Sequence, residues 1–237
     1  MVEVSARGDV RVVVEDGAWP VDAGLRAGGA AHLAALRALA PGMHDGRVLA
    51  MAAVSGGLVR ARVGGYFDMV ATGDALALDG ALRERAVALA GGDPLHDGSG
   101  RVAAIGLSVA ALLPGRRVLL GRRRADLPLD PGCWHVVPSG MLEPGPDPLG
   151  AAFEREAREE LGVVVARSAA RVLGLGWDVA RLRPEVCLAV DLAVTPQPGA
   201  HAAEEYDAIE AFAVERLPAP LTPGAACALA LVRAGHS

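Results

Sequence analysis

Arg155-Glu156-Ala157-Arg158-Glu159-Glu160-Leu161-Gly162-Val163 is the stretch on which the fold turns. The pattern predicts a helix over residues 147–161, opened by Asp147-Pro148 and closed by Gly162. At about 100° per residue, Phe153, Ala157 and Leu161 form an i, i+4, i+8 stripe for a core. Glu156, Glu159 and Glu160 then fall within an arc of roughly 100° beside that stripe. Three carboxylates so close repel one another and raise one another's pKa unless a cation sits between them. Hard oxygen donors on one rigid face suit Mg²⁺, with Mn²⁺ as the alternative. The plain alternative is a solvated helix face with Arg155/Glu159 and Glu154/Arg158 pairs at i, i+4.

The residues upstream decide between the two. Pro138-Ser139-Gly140-Met141-Leu142-Glu143-Pro144-Gly145 precedes the helix. Together with residues 155–163 it resembles the signature of Nudix hydrolases, G-x5-E-x7-R-E-U-x-E-E-x-G-U, in which U is aliphatic. The resemblance covers residues 101–237. It implies an α/β fold: a Nudix-type α/β/α sandwich with a mixed sheet and a strand–loop–helix catalytic motif. It also implies that Glu156, Glu159 and Glu160 are metal ligands, one of them doubling as base, and that Arg155 orients a glutamate. The loop departs from the pattern. Eight residues before Arg155 stands Asp147, where the family has Glu, and six after Gly140 stands Pro146. The loop therefore carries one extra residue, and its glutamate is either replaced by Asp147 or lost.

The N-terminal half carries a second resemblance. Arg47-Val48-Leu49 and the run from Val59 through Tyr66-Phe67-Asp68 to Thr72, followed by a Gly/Asp linker, resemble the UDP-glucose diphosphatase branch of the same family. That points to Tyr66 as a substrate contact; ordinary packing is the alternative for Tyr66 and Phe67. Arg122-Arg123-Arg124 offers guanidinium groups that can clamp a diphosphate, or else forms a solvated basic loop. Glu204-Glu205 stands where Nudix enzymes often place a further ligand or base, which nominates Glu205. Glu185, after Pro184, is a fainter candidate. Cys133 and His135 read as core packing and a surface or supporting position.

Around these motifs the chain divides near Gly91-Gly92-Asp93-Pro94 and His96-Asp97-Gly98-Ser99-Gly100. We expect a small α+β N-terminal domain over residues 1–97, contributing substrate or dimer contacts, and the hydrolase domain over 98–237. In the first half, strands are expected at 10–15, 47–54 and 58–63, the last two joined by Ser55-Gly56-Gly57, with helices at 21–40 and 78–90. In the second half, strands are expected at 102–113, 117–121, 133–138, 170–180, 186–194 and 208–214. A final helix starts with Thr222 as N-cap and Pro223 at N1.

Composition sets the outer bounds. The 237 residues are 52% apolar and only 3% aromatic, so the core must be built of Ala, Val and Leu. All 23 basic residues are Arg, which excludes Schiff-base chemistry and a P-loop ammonium. A formal charge of −5 argues against nucleic acid as partner. Three widely spaced cysteines and no CxxC argue against a disulfide scaffold or zinc ribbon. Charges within the first ten residues argue against a signal peptide, and the longest apolar run is too short to span a bilayer. The expectation is a cytoplasmic enzyme without a membrane partner, and a homodimer is open. The expected reaction is Mg²⁺-dependent hydrolysis of a nucleotide-linked small molecule, first a UDP-sugar giving UMP and a sugar 1-phosphate. The alternatives are ADP-ribose, an oxidised nucleotide or a prenyl diphosphate as substrate, or a non-catalytic nucleotide-binding module.

Overall fold

The computed structural model describes residues 2–7 and 9–235. The chain runs β1 (Val2–Arg7), β2 (Arg11–Ala18), α1 (Ala23–Gly28), α2 (Ala30–Leu39), β3 (Arg47–Ser55), β4 (Leu58–Gly65) and α3 (Tyr66–Thr72). A 3₁₀ turn (Asp74–Ala77), α4 (Gly80–Leu89), β5 (Gly106–Leu113), β6 (Arg117–Arg123), β7 (Trp134–Val136) and β8 (Ser139–Met141) follow. Then come α5 (Pro148–Leu161), β9 (Ala170–Asp178), β10 (Arg183–Asp191), α6 (Ala202–Glu205), β11 (Tyr206–Ala213) and α7 (Pro223–Ala234).

The larger sheet is mixed. Its order is β1-β9-β10-β5-β6-β11, with β7 beside β6 and β8 beside β5. β10 and β5 are parallel, and the other pairs are antiparallel. Every residue of β5 is buried, as a strand covered on both faces requires. Alternation does the sorting: Leu107, Val109 and Ala111 join the core that takes Leu149, Phe153 and Leu161 of α5. Ala110 and Leu112 join the core that takes Cys227, Leu229 and Leu231 of α7. The result is the α/β/α sandwich with a mixed sheet that the sequence predicts.

The N-terminal half builds a second sheet, β2-β4-β3, with β2 parallel to β4 and β3 antiparallel to it. Its Leu49, Met51, Val59 and Ala61 belong to the same core as Val109, Phe153 and Trp177. Backbone hydrogen bonds run from Leu49 N to Leu142 O at 2.8 Å and from Met51 N to Ala103 O at 2.9 Å. Residues 102–105 are therefore drawn away from the expected long strand toward β3, and β5 begins only at Gly106.

Three further local differences have physical reasons. The helix expected over 21–40 breaks at Gly29, where a Cβ would lie 1.8 Å from the carbonyl oxygen of Ala71. Residues 66–72, read from sequence only as a motif, form α3, whose Met69 and Val70 pack into a satellite core. Residues 2–7, to which the sequence reading gave no element, are an edge strand antiparallel to β9.

Candidate active site

α5 presents the acidic residues, and its ends explain its extent. The Asp147 side chain accepts from Gly150 N at 3.1 Å as N-cap, Pro148 sits in the first turn, and Gly162 closes the helix at φ 64°, a conformation that favours glycine. The i, i+4 pairs of the solvated-face reading do not form among the described residues. Instead the Arg155 guanidinium reaches Glu143 Oε1 and Glu156 Oε1, both at 2.8 Å. Glu154 accepts from Arg167 N at 2.9 Å.

Gly140 on β8 makes room for Glu156. A Cβ at residue 140 would lie 2.1 Å from Glu156 Oε1. Glu160 is buried at 2% exposure and is held at both oxygens. Ser139 N donates to Oε2 at 3.1 Å, and the Tyr206 hydroxyl donates to Oε1 at 3.2 Å. Glu205, where α6 meets β11, lies 3.6 Å from Arg123 Nη1.

These carboxylates are electrostatically coupled. Burial pushes the Glu156 pKa up to about 7, against Arg155, and the charges of Glu159 and Glu205 add to the rise. Burial also pushes Glu160 well up, helped by Glu205 and Glu156. Glu205 is raised by burial, opposed by Arg123, with Glu204 and Glu159 raising it further. Among the described residues no three His, Cys, Asp or Glu side chains converge as a closed ligand set. The donor chemistry nevertheless fits a hard divalent cation. Carboxylates from α5 and from the α6–β11 junction each raise another's pKa, and a cation among them would relieve that repulsion.

A cavity of about 550 Å³ opens beside this cluster. Of the residues nominated from sequence, Arg155, Glu156, Glu205, Arg123, Tyr66 and Gly140 line it. Glu160 is buried beneath it, and half-buried Glu159 acts on it through charge. Arg122 is exposed, and Arg124 is turned to Asp126 at 2.7 Å. Neither lines the cavity: Arg122 points to the opposite face of β6 from Arg123, and Arg124, past the end of that strand, is held by Asp126. Sequence reasoning left out Glu143, Arg183 and Tyr206, and it gave Glu185 little weight. It expected a surface or supporting position for His135, which instead lines the cavity, with Nδ1 hydrogen-bonded to Thr222 Oγ1. Burial pushes its pKa down to about 3, with Arg123 and Arg183 adding to the drop. The only available signals were Glu143's place in the loop and the strand alternation of Arg183 and Glu185.

A family model described as NUDIX domain matches residues 104–232. Similar solved structures include a MutT NUDIX hydrolase from Burkholderia pseudomallei, 29% identical, covering 54% of this chain and 97% of that one with a TM-score of 0.42. The NUDIX domain of Shewanella oneidensis NrtR, solved with ADP ribose, is 18% identical, covering 58% and 90% with a TM-score of 0.46. The MutT protein of Methanosarcina mazei Go1 is 17% identical, covering 56% and 96% with a TM-score of 0.44. No curated protein matches the chain.

Proposed function

Since the chain belongs to the Nudix family, a family of diphosphate hydrolases, we propose that it is a Mg²⁺-dependent enzyme cleaving the diphosphate of a nucleotide-linked metabolite, in the first place a UDP-sugar. The observation that carries this reading is the coupled carboxylate cluster of Glu156 and Glu205 in the wall of one cavity, with Glu160 buried beneath them. Glu156, Glu159 and Glu160 would hold the cation. When bound, it polarises a phosphoryl oxygen and makes an attacking water more acidic.

The protein's own residues do the rest. Arg155, braced by Glu143, fixes the rotamer of Glu156, and Gly140 leaves it space. Ser139 N and Tyr206 aim Glu160. Glu205, whose pKa burial raises, accepts the proton of the attacking water. Arg123 offsets the charge that develops on the diphosphate. The UDP-sugar preference rests on the resemblance of the N-terminal half and on the place of Tyr66 in the cavity wall.

Mass-spectrometric product analysis tests the proposal. The full chain is incubated with Mg²⁺ and UDP-glucose, UDP-GlcNAc, ADP-ribose, NADH, 8-oxo-dGTP and geranyl diphosphate. UMP and a sugar 1-phosphate are expected. Cleavage of another member discards the substrate and keeps the hydrolase. No cleavage with either Mg²⁺ or Mn²⁺ overturns the hydrolase reading in favour of a binding module.

A further inference from the structure

The same cavity is lined by Arg183 and Glu185, which the hydrolytic cluster does not use. Arg183 and Glu185, two apart on β10, face the same side of the sheet. Glu185 is in register with Gly106 on β5, which is in register with Met141 on β8. Adjacent strands lie about 4.8 Å apart, so this pair sits roughly 10 Å across the sheet from the strand that supports Glu156. Space has been cleared for it. A Cβ at Gly106 would lie 2.4 Å from Glu185 Oε1, and one at Gly224 would lie 3.2 Å from Glu185 Oε2.

The hydrogen-bonding capacity of the pair is largely unspent. The Ser108 hydroxyl donates to Glu185 Oε2 at 3.0 Å. Among the described residues Oε1 has only the Arg183 guanidinium near it, with Nε at 3.8 Å, beyond hydrogen-bond range. The Arg183 side chain makes no hydrogen bond among the described residues, and its buried Nε is unsatisfied. Its ion-pair distances to Asp74 and Asp178 are 3.6 and 4.0 Å. A guanidinium donor and a carboxylate acceptor therefore stand side by side with free capacity in a cavity wall.

The surroundings select the ligand. Asp74 and Asp178 behind Arg183 are shared with Arg181, at 3.5 and 2.8 Å, so the charges of this cluster are largely met within the protein and it offers no surplus of cations for a second phosphate. His135 is neutral there. Met43, Met69, Leu127 and Leu129 supply apolar, adaptable wall, which suits a flat ring better than a polyhydroxyl surface. We infer that Arg183 and Glu185 read the hydrogen-bonding edge of the substrate's nucleobase, Glu185 taking a ring or exocyclic N–H and Arg183 donating to the adjacent carbonyl or ring nitrogen. Tyr66 and Met69 make the N-terminal half part of that subsite. The inference rests on the hydrolase reading only in that the substrate occupies this cavity.

Calorimetric binding tests it without turnover. UMP, GMP, AMP, ribose 5-phosphate and glucose 1-phosphate are titrated into the full chain with Mg²⁺ present. At least one nucleoside monophosphate is expected to bind tenfold or more tightly than ribose 5-phosphate. In Glu185→Gln and Arg183→Gln, each checked for a native melting transition, that margin disappears. The isosteric Glu185→Gln keeps the test alive if Arg183→Gln does not fold. Equal binding of ribose 5-phosphate, or a margin retained in a folded variant, overturns the inference. So does a loss confined to glucose 1-phosphate, which would mark the pair as a sugar reader. Base-dependent binding without hydrolysis of any substrate would sink the hydrolase reading and leave this one standing.

Discussion

Glu156 lies in the cavity wall with its carboxylate against the Arg155 guanidinium. Its burial leaves it titrating near 7 instead of 4.5 in the metal-free protein. The folded state therefore holds a proton that the unfolded chain gives up, and stability tied to that proton is present below pH 4.5 and lost as pH rises through 7. Relative to Glu156→Gln, the metal-free wild type should lose about 3 kcal/mol across that window, at 1.36 kcal/mol per unit. Urea melts from pH 4.5 to 8 measure it, and a flat difference would mean that Glu156 is not desolvated. Mg²⁺ should restore stability at the alkaline end. Gly140→Ala pushes a methyl group into the Glu156 carboxylate. A misplacement of this kind costs about 10²-fold in kcat, and steady-state kinetics on the accepted substrate would reveal it. Glu159→Gln and Glu160→Gln should each lower kcat by orders of magnitude; unaltered activity would remove them from the metal site.

At the scale of elements, the loop before α5 poses the sharpest question. The extra residue puts Asp147 at the N-cap and leaves Glu143 to face the cavity and brace Arg155. If capping is the role of Asp147, Asp147→Ala costs about 1 kcal/mol of stability and leaves kcat within a factor of two. A kcat loss of a hundredfold would instead make Asp147 the loop's functional acid. Glu143→Gln should show the converse pattern, lower kcat with little change in melting temperature, because its side chain is half exposed.

At the scale of the molecule, the segment between α4 and β5 is tied to the β9–β10 turn by a buried side chain that carries charge. Arg101 is fully buried and donates to the carbonyls of Asp97 (3.0 Å), Leu182 (3.2 Å) and Pro94. Burial pulls its pKa down to about 10, yet it stays charged at neutral pH. Arg101→Met leaves the buried contact to the Leu182 carbonyl and the half-buried ones to Pro94 and Asp97 without their donor and should cost roughly 1–3 kcal/mol. Because one core runs through both halves, we expect calorimetry to show a single unfolding transition that moves as a unit in this variant. Two separated transitions would show that the halves fold independently.

The helix of residues 147–161, its caps, the family and the acidic face proposed to hold the metal were all legible from local sequence. All of these are encoded within a few turns of one element, where fixed spacing converts directly into geometry. Local sequence also determined most strands, through alternation and turn residues. The partners of those residues came only from the tertiary structure. Tyr206 reaches Glu160 across 46 positions of chain, and Ser108 reaches Glu185 across 77. Which of Arg122, Arg123 and Arg124 meets the cavity depends on the register of β6, and the divergence of residues 102–105 depends on their bonds to β3. Local spacing carries no information about such contacts, because they are set by sheet order and by which surfaces close on one another when the core forms.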